Sequence, residues 1–337
     1  MPPSRDTAKG GHCRQGRRGE SISPRCTNRR TAFTLVELLV SIAVFTILVA
    51  LMGKMLSEAT FAWTMAESNK DRLQNMRVIS DFIANELQAA LLPINVTSTN
   101  GLEFVVNPQN LSLSPTYQSR DAIFWQTPLA SDQSLGDVAE VGYFVQWIAR
   151  TQGAQQTPNL CRYFVNAGIS GASGTTANPS FLIYSNPGAW LSGSGAISTI
   201  APANQVNGYQ GLFAEDVLGL WVQCLNTNGS QITQDANGNS LATTHSYSFD
   251  SRVGYMDPSS STVPRHLPAA VNLGFAMIDD RSEKKVTSSL MNSILALVTT
   301  STNASSFVSA AQANSIYRPI VPGLRSYQTT ILLQNSR

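Results

Sequence analysis

Arg29-Arg30-Thr31-Ala32-Phe33-Thr34-Leu35-Val36-Glu37-Leu38-Leu39 decides how the chain is read. Two arginines precede a small residue, and the run from Phe33 to Met52 carries a single charge, Glu37. At about 1.5 Å of rise per residue, a helix over 33–52 spans roughly 30 Å, the hydrocarbon thickness of a bilayer. The arginines would hold its N-terminal end on the cytoplasmic side. A lone carboxylate in hydrocarbon is costly, so Glu37 needs a partner and a purpose.

The segment Ala32-Phe33-Thr34-Leu35-Val36-Glu37 resembles the cleavage and methylation site of the type IV pilin-like family. The resemblance implies that a prepilin peptidase cuts after the small residue Ala32 and that the new N-terminal residue, Phe33, is N-methylated. It implies that Glu37 pairs with the N-terminal amine of a neighbouring subunit during assembly. Two features depart from the family pattern. Ala32 stands where glycine is usual before the cut, and no proline lies between Phe33 and Leu92, where many major pilins carry a kink. An ordinary signal anchor is the plainer reading of the same residues.

Working outward, residues 1–32 read as a basic, disordered leader that is removed. They hold eight Lys/Arg and two Asp/Glu, leaving 23 − 8 = 15 basic and 21 − 2 = 19 acidic residues in the remainder. The mature charge is then −4, with no basic field of the kind that attracts nucleic acid. Beyond Met52 the helix is expected to continue, because Lys54 to Leu92 contains neither Gly nor Pro and Pro93 supplies the stop. Leu73, Met76, Ile79, Ile83, Leu87 and Ala90 recur at spacings of three and four, one apolar stripe for a globular domain. A helix over 33–92 would be about 90 Å long. Gly53 marks a place where it can bend on leaving the bilayer.

After Pro93 the pattern becomes strands and turns. Expected strands are Gly101–Val106, Ala122–Gln126, Ala139–Trp147, Cys161–Val165, Phe181–Tyr184, Val217–Leu225, Ser246–Phe249, Ala270–Ile278 and Tyr327–Leu333. The third and fourth read as antiparallel neighbours. Gly168–Asn178 and Pro187–Gln205 read as long loops. One helix is expected over Ser282–Thr299, capped by Asp280 or Ser282, with Val286, Leu290, Ile294 and Leu297 on its apolar face. The fold class is therefore α+β: a long N-terminal helix packed on an antiparallel β-rich domain. Its parts are a leader at 1–32, a transmembrane helix at 33–52, an amphipathic extension at 53–92 and an extracytoplasmic domain at 93–337. The order of segments, with Glu140-Val141-Gly142-Tyr143-Phe144-Val145 and Tyr327-Gln328-Thr329-Thr330-Ile331-Leu332-Leu333, resembles a minor pseudopilin of the J class or a Verru_Chthon cassette pilin-like protein.

Candidate chemistry in the domain is sparse. Cys13 and Cys26 lie in the leader, whereas Cys161 and Cys224 remain and can pair outside the cytoplasm if their Cα atoms approach to about 5–6 Å. Two separately buried thiols is the alternative. Asp235, Asn237 and Asn239 have a spacing that can wrap calcium, but Ser240 stands where an EF-type loop needs Gly and Ser246 where it needs Glu. Asp279 and Asp280, with Glu283, read as charge at a helix start. His245 and His266 have no metal or nucleophile spacing, and Ser282-x-x-Lys285 lacks its companion motifs. No enzyme and no cofactor is expected.

The expected function is a minor pilin or pseudopilin subunit in the inner membrane, with its N-terminus cytoplasmic and its domain periplasmic. Its expected partners are the prepilin peptidase, other pilin-like subunits and an inner-membrane assembly platform. The alternative is a tethered adhesin or ligand-binding module that keeps the helix for delivery.

Overall fold

A computed structural model describes residues 34–91, 102–108, 121–129, 138–149, 156–166, 210–242, 247–257, 261–263 and 266–335. The leader 1–32, the expected strand Phe181–Tyr184 and both expected long loops lie outside them. The chain divides into two units, Met1–Phe61 and Ala62–Arg337.

Helix α1 spans Leu35–Gln88 and runs through Gly53 without interruption. In the first unit its side chains are exposed, and hydroxyls that would otherwise seek water turn inward. Ser41 donates to the Glu37 carbonyl at 2.7 Å and Thr46 to the Ala43 carbonyl at 2.8 Å. Such i−4 and i−3 bonds satisfy a polar group inside an apolar solvent.

In the second unit the expected stripe is the buried one: Met76, Ile79, Ile83, Leu87 and Ala90. Leu73 stays half exposed. Arg72 is buried beside it, donating to the Gly323 carbonyl and, at 2.6 Å, to Asn69 Oδ1. The helix stops four residues before Leu92. Its last carbonyls, which have no helical partner, take donors from the sheet: Trp125 Nε1 reaches the Glu86 carbonyl at 3.2 Å and Thr127 Oγ1 the Ala89 carbonyl at 3.2 Å. Asn335 Nδ2, near the C-terminus, donates to the Ala90 carbonyl at 2.8 Å.

The strands are β1 Phe104–Val106, β2 Ala122–Thr127, β3 Ala139–Ala149, β4 Gln156–Asn166, β5 Gln210–Glu215, β6 Val217–Leu225, β7 Phe249–Asp250, β8 Tyr255–Asp257, β9 Ser261–Val263, β10 Ala270–Met277 and β11 Arg325–Leu332. They form a six-stranded sheet ordered β5-β4-β3-β2-β1-β7, a three-stranded sheet ordered β11-β10-β6, and a β8-β9 ribbon. Every pairing among the described strands is antiparallel, including the expected β3–β4 neighbours with Tyr143 opposite Arg162. The α1 stripe shares one core with both sheets, among them Ile123, Trp125, Val141 and Tyr143 from the larger and Leu220, Val222 and Val271 from the smaller. Asp121 stitches the sheets together. Its N–H donates to the Leu220 carbonyl at 3.1 Å, and its carboxylate accepts from Val222 N–H at 2.8 Å and Asn107 Nδ2 at 2.8 Å.

The expected helix over Ser282–Thr299 is two elements, α2 Asp280–Glu283 and α3 Ser288–Thr300. Thr287 caps α3, its hydroxyl accepting from Leu290 N–H at 3.3 Å, because a second N-cap residue sits five positions after Ser282. Its buried face is Leu290, Ile294 and Val298, one residue round from the expected Leu297. Helix α4, Ala304–Ala313, follows behind an Asn303/Ser306 capping box. Its buried face is Ala304, Phe307 and Ala311, a helical spacing in which Phe307 is the one large apolar residue of the three. Together α3 and α4 cover Leu218, Trp221 and Ala276 in a second core.

Two positions make sharp stability predictions. Gly142 lies opposite Phe124 across β3–β2, and a Cβ at 142 would overlap the Phe124 ring. Gly142→Ala should therefore cost about 1–3 kcal/mol in chemical denaturation, the usual penalty of overpacking a full core; an unchanged midpoint would contradict that packing. The second is Glu103, whose N–H donates to Gln126 Oε1 at 2.7 Å and whose carboxyl lies 2.5 Å from Arg252 Nε. Burial pushes this carboxyl up to about 8, against the pull of Arg252, and drives the buried Glu140 carboxyl up as well. A raised folded value means the folded state holds the proton more tightly, so the contribution is complete below about 4.5 and lost as pH rises towards 8. The thermal midpoint should fall between pH 5 and pH 9, and Glu103→Gln should flatten that slope; a slope unchanged in the variant would show that Glu103 is not its source.

Candidate functional site: the N-terminal assembly segment

The segment that begins at Thr34 explains how a carboxylate is accommodated so close to the bilayer. Thr34 donates to Glu37 Oε2 twice, from its backbone N–H at 3.0 Å and from its hydroxyl at 3.0 Å. The Glu37 N–H donates back to Thr34 Oγ1 at 3.3 Å. This reciprocal Thr-x-x-Glu arrangement is a capping box, and it satisfies donors that the first helical turn leaves unpaired. Thr34 is thus a site residue that was overlooked, although its spacing from Glu37 was readable in the sequence. The arrangement fixes where the Glu37 carboxylate sits: at the start of α1, one turn from the residue that cleavage would make N-terminal. Ala32 and Phe33 themselves lie outside the described residues.

The sequence of this segment matches the family model for the prokaryotic N-terminal methylation motif over residues 27–53. Residues 27–53 thus carry a prepilin-type methylation motif. The long apolar helix and antiparallel β domain form the α+β architecture expected from the sequence. Among solved structures it is similar to a type IV-like pilin from Thermus thermophilus, with 12% identity over 79% of this chain and 98% of that chain and a TM-score of 0.31. No curated protein matches the chain. The motif singles out no subclass, the J class included. Among the described residues the chain has one helix long and apolar enough to cross a membrane, α1, which fits a single-pass membrane anchor.

Elsewhere the other candidate groups serve the structure. The possible disulfide is not formed: Cys161 and Cys224 are free, buried thiols. Strand alternation explains this, because Leu160 and Cys224 contribute to the shared core while Cys161, one residue on from Leu160, points to the other face of its sheet. Burial pushes the Cys161 thiol up to about 12 and the Cys224 thiol higher still, so neither is reactive.

The Asp235-Asn237-Asn239 run is a closed turn. Asp235 Oδ1 accepts from the N–H groups of Asn237 at 2.9 Å and Asn239 at 2.8 Å, and Oδ2 accepts from Asn239 Nδ2 at 2.9 Å. Burial is the largest single influence and raises the carboxyl's pKa, but the donors together outweigh it and hold the pKa below the usual range. Among the described residues no group of three His, Cys, Asp or Glu side chains is placed to hold a metal. Asp279 caps α2, accepting from Ser282 N–H at 2.9 Å, and Asp280 pairs with Lys284 at 2.7 Å. Ser282 of the Ser-x-x-Lys pattern is thereby part of a helix cap.

Sequence reasoning also missed the clamp between α1 and the six-stranded sheet. Glu86, 8% exposed, pairs with Arg162 and accepts from the Tyr143 hydroxyl at 2.5 Å. Arg162 in turn lies 4.4 Å from the Phe164 ring centroid and 5.6 Å from that of Phe82. Nothing in the spacing of three residues 57 and 19 positions apart announces such a cluster.

Proposed function

We propose that the chain is a precursor cut after Ala32 by a prepilin peptidase, N-methylated at Phe33 and assembled as a minor subunit of a type II secretion pseudopilus or type IV pilus. The match over residues 27–53 carries this reading, since it takes in the arginine pair, the small residue, the aromatic start and Glu37. The arginines before the span favour a cytoplasmic N-terminus and a domain on the far side. An inner-membrane platform and other pilin-like subunits are the partners such an assembly needs. The action is mechanical: apolar helices leave lipid to pack against one another, and the globular domain is carried outward. A domain of this size suits a low-abundance tip or initiating subunit, where bulk does not clash with identical neighbours.

Glu37 has a defined role in that exchange. In the lone subunit the capping box with Thr34 occupies its carboxylate. In the polymer a neighbour's positive N-terminal amine would take its place, and in low dielectric that charge pair favours one axial register over slipped ones. Deleting the chain should stop secretion or piliation, and membrane cross-linking should join it through α1 to other pilin-like subunits. Intact secretion and piliation with only surface attachment reduced would favour a tethered adhesin instead.

A further inference from the structure

The charge-free stretch Leu38–Gly53 is 16 residues, about 24 Å of helix, and falls short of a core of about 30 Å. Four more residues, to Ser57, complete the span. Met55 and Leu56 in that extension are exposed apolar side chains, 69% and 68%. The one charge it adds, Lys54, extends towards the C-terminal end of the helix, with Nζ 4.0 Å from Glu58 Oε1. A lysine with its stem in hydrocarbon and its ammonium directed outward is the snorkelling geometry of a span end.

Phe61 and Trp63 follow on the same helix and are 55% and 74% exposed. Trp125, Trp147 and Trp221, by contrast, are at most 2% exposed. From Ser57, Phe61 and Trp63 rise about 6 Å and 9 Å, and helical side chains lean back towards the N-terminus by about a turn. Their rings then fall within the roughly 5–7 Å headgroup layer, where Trp, with its amphipathic indole, is enriched.

We propose that the lipid-embedded span is Leu38–Ser57, with Phe61 and Trp63 seated in the outer headgroup layer of the bilayer. Glu37 and its capping box then lie at the inner interface rather than inside hydrocarbon. This rests on α1 being a membrane anchor and not on assembly into a filament.

The test uses the full chain and its Trp63→Phe variant in phosphatidylcholine vesicles at high lipid-to-protein ratio. The vesicles carry bromine either near the headgroup or at mid-chain. The emission difference between the two proteins isolates Trp63. The expected result is loss of most of that difference with shallow bromine and much less with mid-chain bromine. No quenching by either lipid, as for a ring in water or against a second protein, overturns the proposal; so does stronger quenching at mid-chain. A chain that does not float with the vesicles would overturn the anchor reading itself, a result distinct from vesicle-bound protein with an unquenched Trp63.

Discussion

Glu37→Ala should give a chain that is inserted and cleaved normally yet is missing from the polymer. Insertion depends on the apolar run, which the change lengthens. Cleavage depends on the residues around Ala32, which it leaves in place. Assembly is different, because the variant would ask a neighbour's charged amine to enter low dielectric with no counter-charge, and breaking one side of such a pair costs far more than the pair gains. The capping box complicates the variant, since alanine also strips the Thr34 N–H of its acceptor. Glu37→Gln separates the two effects: glutamine serves in a capping box but carries no charge. Immunoblots of the membrane and sheared-filament fractions should show both variants processed and both absent from filaments. A glutamine variant that assembles like the parent would assign Glu37 a capping role only.

Arg162→Met should be the most damaging single change in the described part of the domain. It leaves the Glu86 carboxylate buried with only the Tyr143 hydroxyl for company. It also removes a cation from between the Phe82 and Phe164 rings. Breaking a buried pair costs about 3–5 kcal/mol, and Arg162, 24% exposed, belongs at the lower end. For a domain of this size that is a fall of about 6–12 °C in thermal midpoint. Adding Glu86→Gln to the methionine variant should restore part of the loss, since no charge is then stranded. A midpoint that barely moves in Arg162→Met would mean that the apolar stripe alone holds α1 to the sheet.

Residues with a local signature were legible in the sequence. The stripe Met76–Ile79–Ile83–Leu87 was readable because helical periodicity is local, and the β3–β4 pairing because two aromatic-rich strands flank one polar loop. Thr34 and Glu37 formed a readable capping box too, but the stronger family motif over the same residues drew attention to Glu37 alone. Glu86, Arg162 and Tyr143 were not legible, because they meet only once three distant elements have been brought together. The same holds for Cys161: which face of a sheet a residue occupies depends on a register that a single strand does not reveal. Helix α4 shows a third kind of gap: its buried face is Ala304, Phe307 and Ala311, and two alanines beside one aromatic make a weak signal in sequence although the spacing is helical. The short strands β8 and β9 likewise find their reason in each other.

The central claim, a chain cut after Ala32 and methylated at Phe33, has one direct test. The protein should be extracted from membranes of cells holding a prepilin peptidase, and its N-terminal peptide measured by mass spectrometry. The account predicts a peptide that begins at Phe33 with one added methyl group on its amine. It also predicts loss of that peptide when Ala32 is replaced by a bulky residue. An N-terminus that retains residues before Phe33 in the parent, or an unmethylated one cut elsewhere, would contradict it.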